Sequence, residues 1–366
     1  MVSYPFLPPR FGGQKAIAQF YKYLSREVPL VCITTQQNDP AAAEGYPVYN
    51  TLTNSPLRYL NLFYAFRLRR LIREQGISHL LIEHPYYGWL AVLVKKWTGV
   101  KLVVRSHNIE GLRWKTLGKW WWKGLWRYER WVHRQADHSF FIQQADLQYA
   151  LQQFRLQPRR CSLMTYGIEW DQAPSMADKQ AARQFLQQQH GIPADHQLFL
   201  FNGAFNYGPN LEALQHIIDH IDPLLQQQLQ QPYTILVCGK DIPVSVRQQA
   251  GPHFCIAGMV PDIDPYFKGA DLFLNPVTSG GGIKTKLVEA LGNNMNAVSV
   301  ENGAEGVDPA LCGGKLAVTP NNDWPAFARA VQQLIPQQEN MPASFYQHFY
   351  WGHIARKAAA ALAAAE

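Results

Sequence analysis

Apolar and polar positions along the chain divide it into two series of short apolar runs, separated by longer segments with helical spacing. In the first series, Val28 to Thr34, His79 to Ile82, Lys101 to Ser106, His138 to Ile142 and Cys161 to Thr165 have strand length and mostly apolar content. Such runs mark strands buried on both faces of a parallel sheet, and the amphipathic stretches between them supply its covering helices. A first strand would occupy Met1 to Tyr4, cut short by Pro5. The second series comprises QLFLFN from Gln197, Tyr233 to Cys238, His253 to Ile256, Asp271 to Leu274, and AVSVE from Ala297. Together they predict an α/β protein with two Rossmann-like domains meeting near Asp171. A chain of 366 residues exceeds the ~250–300 at which one core usually splits in two.

Composition narrows this picture. No run of 18 uncharged apolar residues occurs, and the start MVSYPFLPPRFGG has no charged segment leading into an apolar one, so a cytosolic site is expected. Five cysteines stand singly without CxxC or His/Cys ligand spacing, which predicts reduced thiols and no metal site. The net charge of +7 calls for an anionic partner: nucleotide, lipid headgroup or nucleic acid.

The most informative stretch is Asn275 to Gly306. A strand ends in a Pro-containing turn, then Gly280, Gly281 and Gly282 lead into the amphipathic helix IKTKLVEAL, which starts at Ile283 and has Lys284 in its first turn. Bare glycine backbone lets an anion approach the amides, and the helix N-terminus favours phosphate. Glu289, further along the helix, can accept two hydrogen bonds from a vicinal diol such as a ribose. Phosphate and ribose together make a nucleotide. A second turn, Asn302-Gly303-Ala304-Glu305-Gly306, follows the next strand and can close over the same ligand. Neither GxxxxGK[ST] nor a GxGxxG after a strand is present, which weighs against ATPase and dinucleotide readings.

The run GGGIKTKLVEAL followed by NGAEG resembles the donor-nucleotide site of retaining GT-B glycosyltransferases of the family 4 (group 1) type. The resemblance implies two Rossmann-like domains facing across a cleft: residues 1–170 for the acceptor, 171–344 for the sugar-nucleotide donor, and a helix over 345–366 crossing back to the first domain, anchored by Phe349, Tyr350 and Trp351. It implies donor contacts at Gly203, Asn206, Gly258, Val260, Gly280, Gly281, Gly282, Ile283, Thr285 and Glu289. Catalytic roles fall to His107, donating to a sugar hydroxyl, and to Lys284, Lys286 and Glu289. Gly12, Gly13, Gln14 and Lys15, with Asn108, would approach the donor phosphates or the acceptor, and Glu83 and His84 are weaker candidates. The implied substrate is a nucleotide-diphosphate sugar, with no cofactor, no metal in the absence of a DxD motif, and retention of configuration. Two departures stand out. FNGAFNYGPN lacks the Arg and Lys that many relatives place there, and Gly281 replaces the earlier of two paired glutamates. The missing charge could come from Lys284 or Lys286. A non-catalytic nucleotide-sugar or glycan-binding protein of the same fold, or a GT-B epimerase, remains an alternative.

Residues 113–134 hold six of the eleven tryptophans, seven Lys or Arg, and one acid, Glu129. On one helix, Leu117, Trp121, Leu125, Tyr128 and Val132 would form a core stripe opposite Lys119, Lys123, Arg127, Arg130 and Arg134, with Trp120, Trp122, Trp126 and Trp131 on the flanks. Gly118 and Gly124 allow two shorter helices instead. Indoles beside cations suit an anionic membrane surface, hence a lipid-linked or glycan acceptor and peripheral contact at the inner face of the membrane. Without an RRM, KH or helix-turn-helix pattern, no nucleic acid is expected.

Overall fold

The computed structural model describes residues 1–10 and 12–364, so the last two residues of the expected C-terminal helix, 365 and 366, lie outside it. The chain forms two compact units, Met1–Glu169 with the segment from Phe349 onward, and Trp170–His348.

The first unit runs through α1 (Gly12–Leu24), β1 (Cys32–Thr35), β2 (Val48–Leu52), α2 (Phe63–Gln75), β3 (His79–Glu83), α3 (Gly88–Thr98), β4 (Lys101–Ser106), α4 (Glu110–Thr116), α5 (Trp122–Gln135), β5 (His138–Phe141), α6 (Gln144–Tyr149) and β6 (Cys161–Leu163). Strands β3-β4-β5-β6 make one parallel sheet, and β1-β2 a separate parallel pair. Two expected strands are shorter than their apolar runs. Val28 to Val31 lie outside β1, and Met1 to Tyr4 form no strand. Instead the first two residues bridge the sheets. Val2 N–H donates to Ile33 O (2.9 Å), the terminal amine to Leu81 O (2.6 Å), and Glu83 N–H to Met1 O (3.1 Å). Below this bridge a cavity of about 520 Å³ opens between Val28–Val31 and Ile77–Leu81. Leu80, Ile82, Leu102, Val104, Leu90 and Val132 pack the core.

The second unit runs through α7 (Met176–His190), β7 (Gln197–Asn202), α8 (Gly208–His216), α9 (Asp222–Gln228), β8 (Tyr233–Cys238), α10 (Val244–Gln249), β9 (Phe254–Gly258), α11 (Asp264–Gly269), β10 (Leu272–Asn275), α12 (Thr285–Gly292), β11 (Asn296–Val300), β12 (Leu316–Thr319), α13 (Trp324–Leu334) and α14 (Ala343–Phe349). Its sheet is parallel, in the order β12-β11-β10-β7-β8-β9. The inner strands β7, β8, β10 and β11 bury apolar side chains on both faces, as β8 does over all six residues, so near-continuous apolar runs identify them. Strand order reverses between β7 and β10, and ligands of open α/β sheets bind at such a switch, outside the carboxyl ends of the strands.

The tail is two helices, because the chain is extended at Tyr350 between α14 and α15 (Trp351–Ala363). Trp351, 1% exposed, packs on Phe20 of α1 and on Tyr166. A Cβ on Gly167 would lie 2.6 Å from its ring, so glycine is needed where the indole crosses.

Candidate donor site and a buried polar cluster

In the second unit the loops after β7, β8, β9, β10 and β11 converge on the switch point. Gly203 N–H donates to Cys238 O, and Gly239 N–H to Gly258 O. A Cβ on Gly239 would sit 1.7 Å from Gly203 O, which only bare backbone avoids. Gly258 takes a left-handed φ of 69° at the end of β9, and Val260 follows it.

The helix expected from Ile283 begins two residues later, at Thr285, because Gly280 (φ 80°) and Gly282 (φ 88°) turn the chain before it. Lys284 therefore stands at the N-cap rather than in the first turn, and no side chain caps the helix. The first four amides of a helix lack partners within it, so this end presents donors and positive potential. Lys284 Nζ donates to Gly280 O (2.9 Å) and Gly282 O (2.8 Å), tying down the loop carbonyls. Burial lowers its pKa despite nearby Glu305. Lys286 Nζ reaches across to Asn202 O (3.0 Å) and Asn210 Oδ1 (3.0 Å), 4.4 Å over the Phe201 ring. Burial, with Lys284 close by, pushes Lys286 down to about 7.

The turn after β11 is strapped to the same loop. Asn302 Nδ2 donates to Val277 O and Gly280 O, both at 3.2 Å, and a Cβ on Gly306 would meet Ile283 at 3.2 Å. Asn275 Nδ2 holds Ser299 Oγ and Gly303 O, and a Cβ on Gly303 would fall 2.6–2.8 Å from Ser299 and Asn275 atoms. Gly203, Gly258, Gly280, Gly281, Gly282, Ile283, Thr285, Lys286 and Glu289 thus belong to one set of strand-end loops and the helix they open. Asn206 is exposed in the β7–α8 loop, beside Tyr207, whose hydroxyl would lie 2.8 Å from a Cβ on Gly280. Sequence reading assigned no role to Asn210 and placed Asn302 only within its turn, not as the strap to Val277 and Gly280. Each is a polar residue beside a Gly-rich loop, but only the fold reveals what it holds.

In the first unit His107 is part of a cluster. Its Nε2 lies 2.6 Å from Glu83 Oε2, and Arg105 Nη1 donates to Glu83 Oε1 at 3.1 Å. Alone, burial would raise Glu83; Arg105 and His107 outweigh it and hold the carboxyl well below its usual range. Burial and neighbouring His84 push His107 down to about 4. A neutral imidazole that gives its Nε2 proton to Glu83 keeps Nδ1 as an acceptor. In that tautomer a sugar hydroxyl at Nδ1 would donate to His107.

His84, ranked as a weaker candidate, lies at the centre of the cluster with a left-handed φ of 62°, a conformation that costs energy outside glycine. Its ring contacts Tyr4 OH (2.9 Å) and Glu110 Oε1 (3.0 Å) and lies 4.5 Å from the His107 ring. Tyr86 OH donates to Glu110 Oε2 at 2.6 Å. Burial would raise Glu110, but His84, Tyr86 and Arg113 bring it down to about 2. Glu83 and Glu110 are thus both engaged by internal partners. Asn108 O accepts from Ser106 Oγ. Gly12 and Gly13 open α1, where Gln14 spans the entry by accepting from Arg10 N–H and donating to Pro5 O. Lys15 lies in the same first turn.

The Trp-rich stretch is two helices, α4 and α5, broken at Gly118 with φ 69°. Leu117 and Trp121, expected in the core stripe, are exposed. Lys119, Trp120, Lys123 and Arg127 are exposed as well. Trp122 lies between Lys115 (5.0 Å) and Lys123 (5.7 Å). Trp126, expected on the surface, turns inward, donating to Tyr149 OH (3.0 Å) and packing on Phe154. Glu129 is fully buried and accepts from the Glu110 and Gly111 amides at 2.9 Å each.

Two Rossmann-like units, one with an uncapped Gly-loop helix at its switch point, define a GT-B glycosyltransferase. The chain belongs to the glycosyltransferase family 4 and group 1 type, with residues 12–172 matching Glycosyltransferase Family 4 and residues 196–337 matching Glycosyl transferases group 1. Among solved structures, Anabaena HepE in complex with UDP superposes with a TM-score of 0.72 at 17% identity, over 99% of each chain. A glycosyltransferase from Rickettsia africae gives 0.69 at 12% identity, over 100% of this chain and 97% of that one. WaaG, a glycosyltransferase involved in lipopolysaccharide biosynthesis, gives 0.61 at 14%, over 98% and 95%. No curated protein sequence matches the chain.

Proposed function

We propose that the chain transfers a glycosyl group from a nucleoside-diphosphate sugar to a hydroxyl of a glycan or lipid-linked acceptor, with retention and without a metal ion. The observation that carries this reading is the uncapped N-terminus of α12 at the switch point, flanked by two lysines. The bond between the anomeric carbon and the phosphate oxygen breaks, and a bond to the acceptor oxygen forms on the same face. The acceptor proton passes to the departing phosphate. Charge growing on the leaving group is met by the amides of Gly281 to Thr285, the helix dipole and Lys286, donors fixed in place before reaction. Glu289 holds the ribose diol, and the backbone from Gly258 to Val260 meets the base. His107 accepts from a sugar hydroxyl. HepE, of similar fold, binds UDP, which supports a diphosphate ligand of this kind.

Calorimetric titration with UDP, GDP, ADP, CMP and their sugar conjugates tests the site. One conjugate should bind, and Glu289→Ala should lose it; silence across the panel, or unchanged binding by the variant, refutes the assignment. Release of nucleoside diphosphate only when an acceptor is supplied distinguishes transfer from simple binding and from epimerisation.

A further inference from the structure

We infer that two separate stretches of the first unit, the Pro56–Phe66 segment and the α4–α5 turn, form one face that docks on an anionic lipid bilayer. Sixteen large apolar side chains are exposed among the described residues, and eight belong to these two stretches. Leu57, Leu60, Phe63 and Phe66 are 53–77% exposed in the first; Leu117 and Trp120 are 54% and 89% exposed in the second. A chain of contacts joins them. Tyr59 lies 6.2 Å from the Tyr86 ring, Tyr86 OH accepts from Trp114 Nε1 at 3.2 Å, and the Trp114 ring lies tilted against Trp121 at 5.0 Å. Phe66 extends the surface onto Trp97 at 5.3 Å.

Charge identifies the occupant. Five arginines lie between residues 58 and 73, and seven Lys or Arg between 113 and 134. The one acid of the second stretch, Glu129, is buried, and Glu74, which follows the first, pairs with Arg70 at 2.7 Å. Exposed indoles and phenyl rings interleaved with cations match a headgroup layer that is apolar beneath and anionic above. The first stretch has no amphipathic spacing, since its apolar residues run LNLF, so its role emerges only from the fold. None of this rests on the donor assignment, because vesicle binding is read without any nucleotide.

The test is sedimentation of the full chain with vesicles of phosphatidylcholine containing phosphatidylglycerol, against phosphatidylcholine alone. Wild type should partition onto the anionic vesicles and be released by high salt. Leu60→Ser with Phe63→Ser, Trp120→Ser with Trp121→Ser, and Lys119→Glu with Lys123→Glu should each weaken partition about tenfold with melting temperatures near wild type. Equal binding to both vesicle types overturns the inference. So does wild-type binding by the Leu60/Phe63 pair, or a wild-type dimer that this pair abolishes.

Discussion

Lys286 offers the sharpest test of the donor site. Burial and Lys284 bring it to about 7, whereas a lysine in an unfolded chain titrates near ~10.4. A sugar nucleotide carries two phosphate charges and no group of its own titrating near neutrality. Bound beside Lys286, those charges would restore the ammonium, so binding above pH 7 takes up a proton. At pH 8 only about one site in ten is already protonated, and affinity falls about tenfold per pH unit above ~7. Lys286→Met should weaken binding at pH 6 by ~1.5–3 kcal/mol, the range for a hydrogen bond to a charged group. It should matter less at pH 8, where wild type has mostly lost the charge. The stability of the unliganded protein runs the opposite way. From about 7 to ~10.4 the unfolded chain holds a proton that the folded one has lost, so stability rises with pH through that window. Titration calorimetry with a sugar nucleotide, in two buffers of different ionisation enthalpy at pH 6 and pH 8, reads both affinity and proton uptake. A flat wild-type affinity with no proton uptake at pH 8, or an unchanged slope in Lys286→Met, would refute the reasoning.

Three further outcomes are expected. Gly282→Ala forces a Cβ into φ 88° and should reduce donor affinity while costing ~1 kcal/mol or more of stability, checked by calorimetry and thermal melting together; wild-type affinity would show that the loop is not part of the site. Arg105→Leu leaves the Glu83 carboxylate buried without its cation and should cost ~3–5 kcal/mol, much of it recovered in Arg105→Leu/Glu83→Gln when denaturant midpoints are compared. Glu129 is raised by burial to about 8, against ~4.3 for an unfolded glutamate, so wild-type stability should fall as pH rises through that interval; Glu129→Gln should flatten the fall in urea midpoints measured at pH 5 and pH 9.

The second unit was nearly legible because its inner strands are buried on both faces and announce themselves by composition. The Gly-rich turn before α12 was legible because glycines at positive φ have few substitutes. What pattern reading missed depends on contacts between distant residues. Lys286 could be counted as a charge, but its place beneath the β7 loop requires β10 to pair with β7. His107 looked like a lone donor because Glu83 is 24 residues away in sequence, and that carboxylate decides which ring nitrogen keeps the proton. The Trp-rich stretch misled in another way. The stripe was drawn on one continuous helix, whereas the two shorter helices that Gly118 allowed are what forms; Leu117 and Trp121 fall in the break and are exposed, and α5 keeps Val132 in the core.

The departure at the β7–α8 loop then has a physical rationale. Where many relatives set an Arg and a Lys near that loop, this chain has no cation, and the Asn202 carbonyl and Asn210 Oδ1 present oxygens there. Those oxygens accept from Lys286 of α12, so the amine is brought up to the β7–α8 loop from the other strand end of the switch point. An arginine there would stay charged at every physiological pH, whereas the buried lysine titrates near neutrality. A diphosphate site built this way would lose affinity as pH rises where an arginine-based one would not. Installing the relatives' charge by Asn206→Arg, in an exposed position of the same loop, should raise donor affinity at pH 8 more than at pH 6. Equal gains at both would show that the diphosphate does not depend on Lys286.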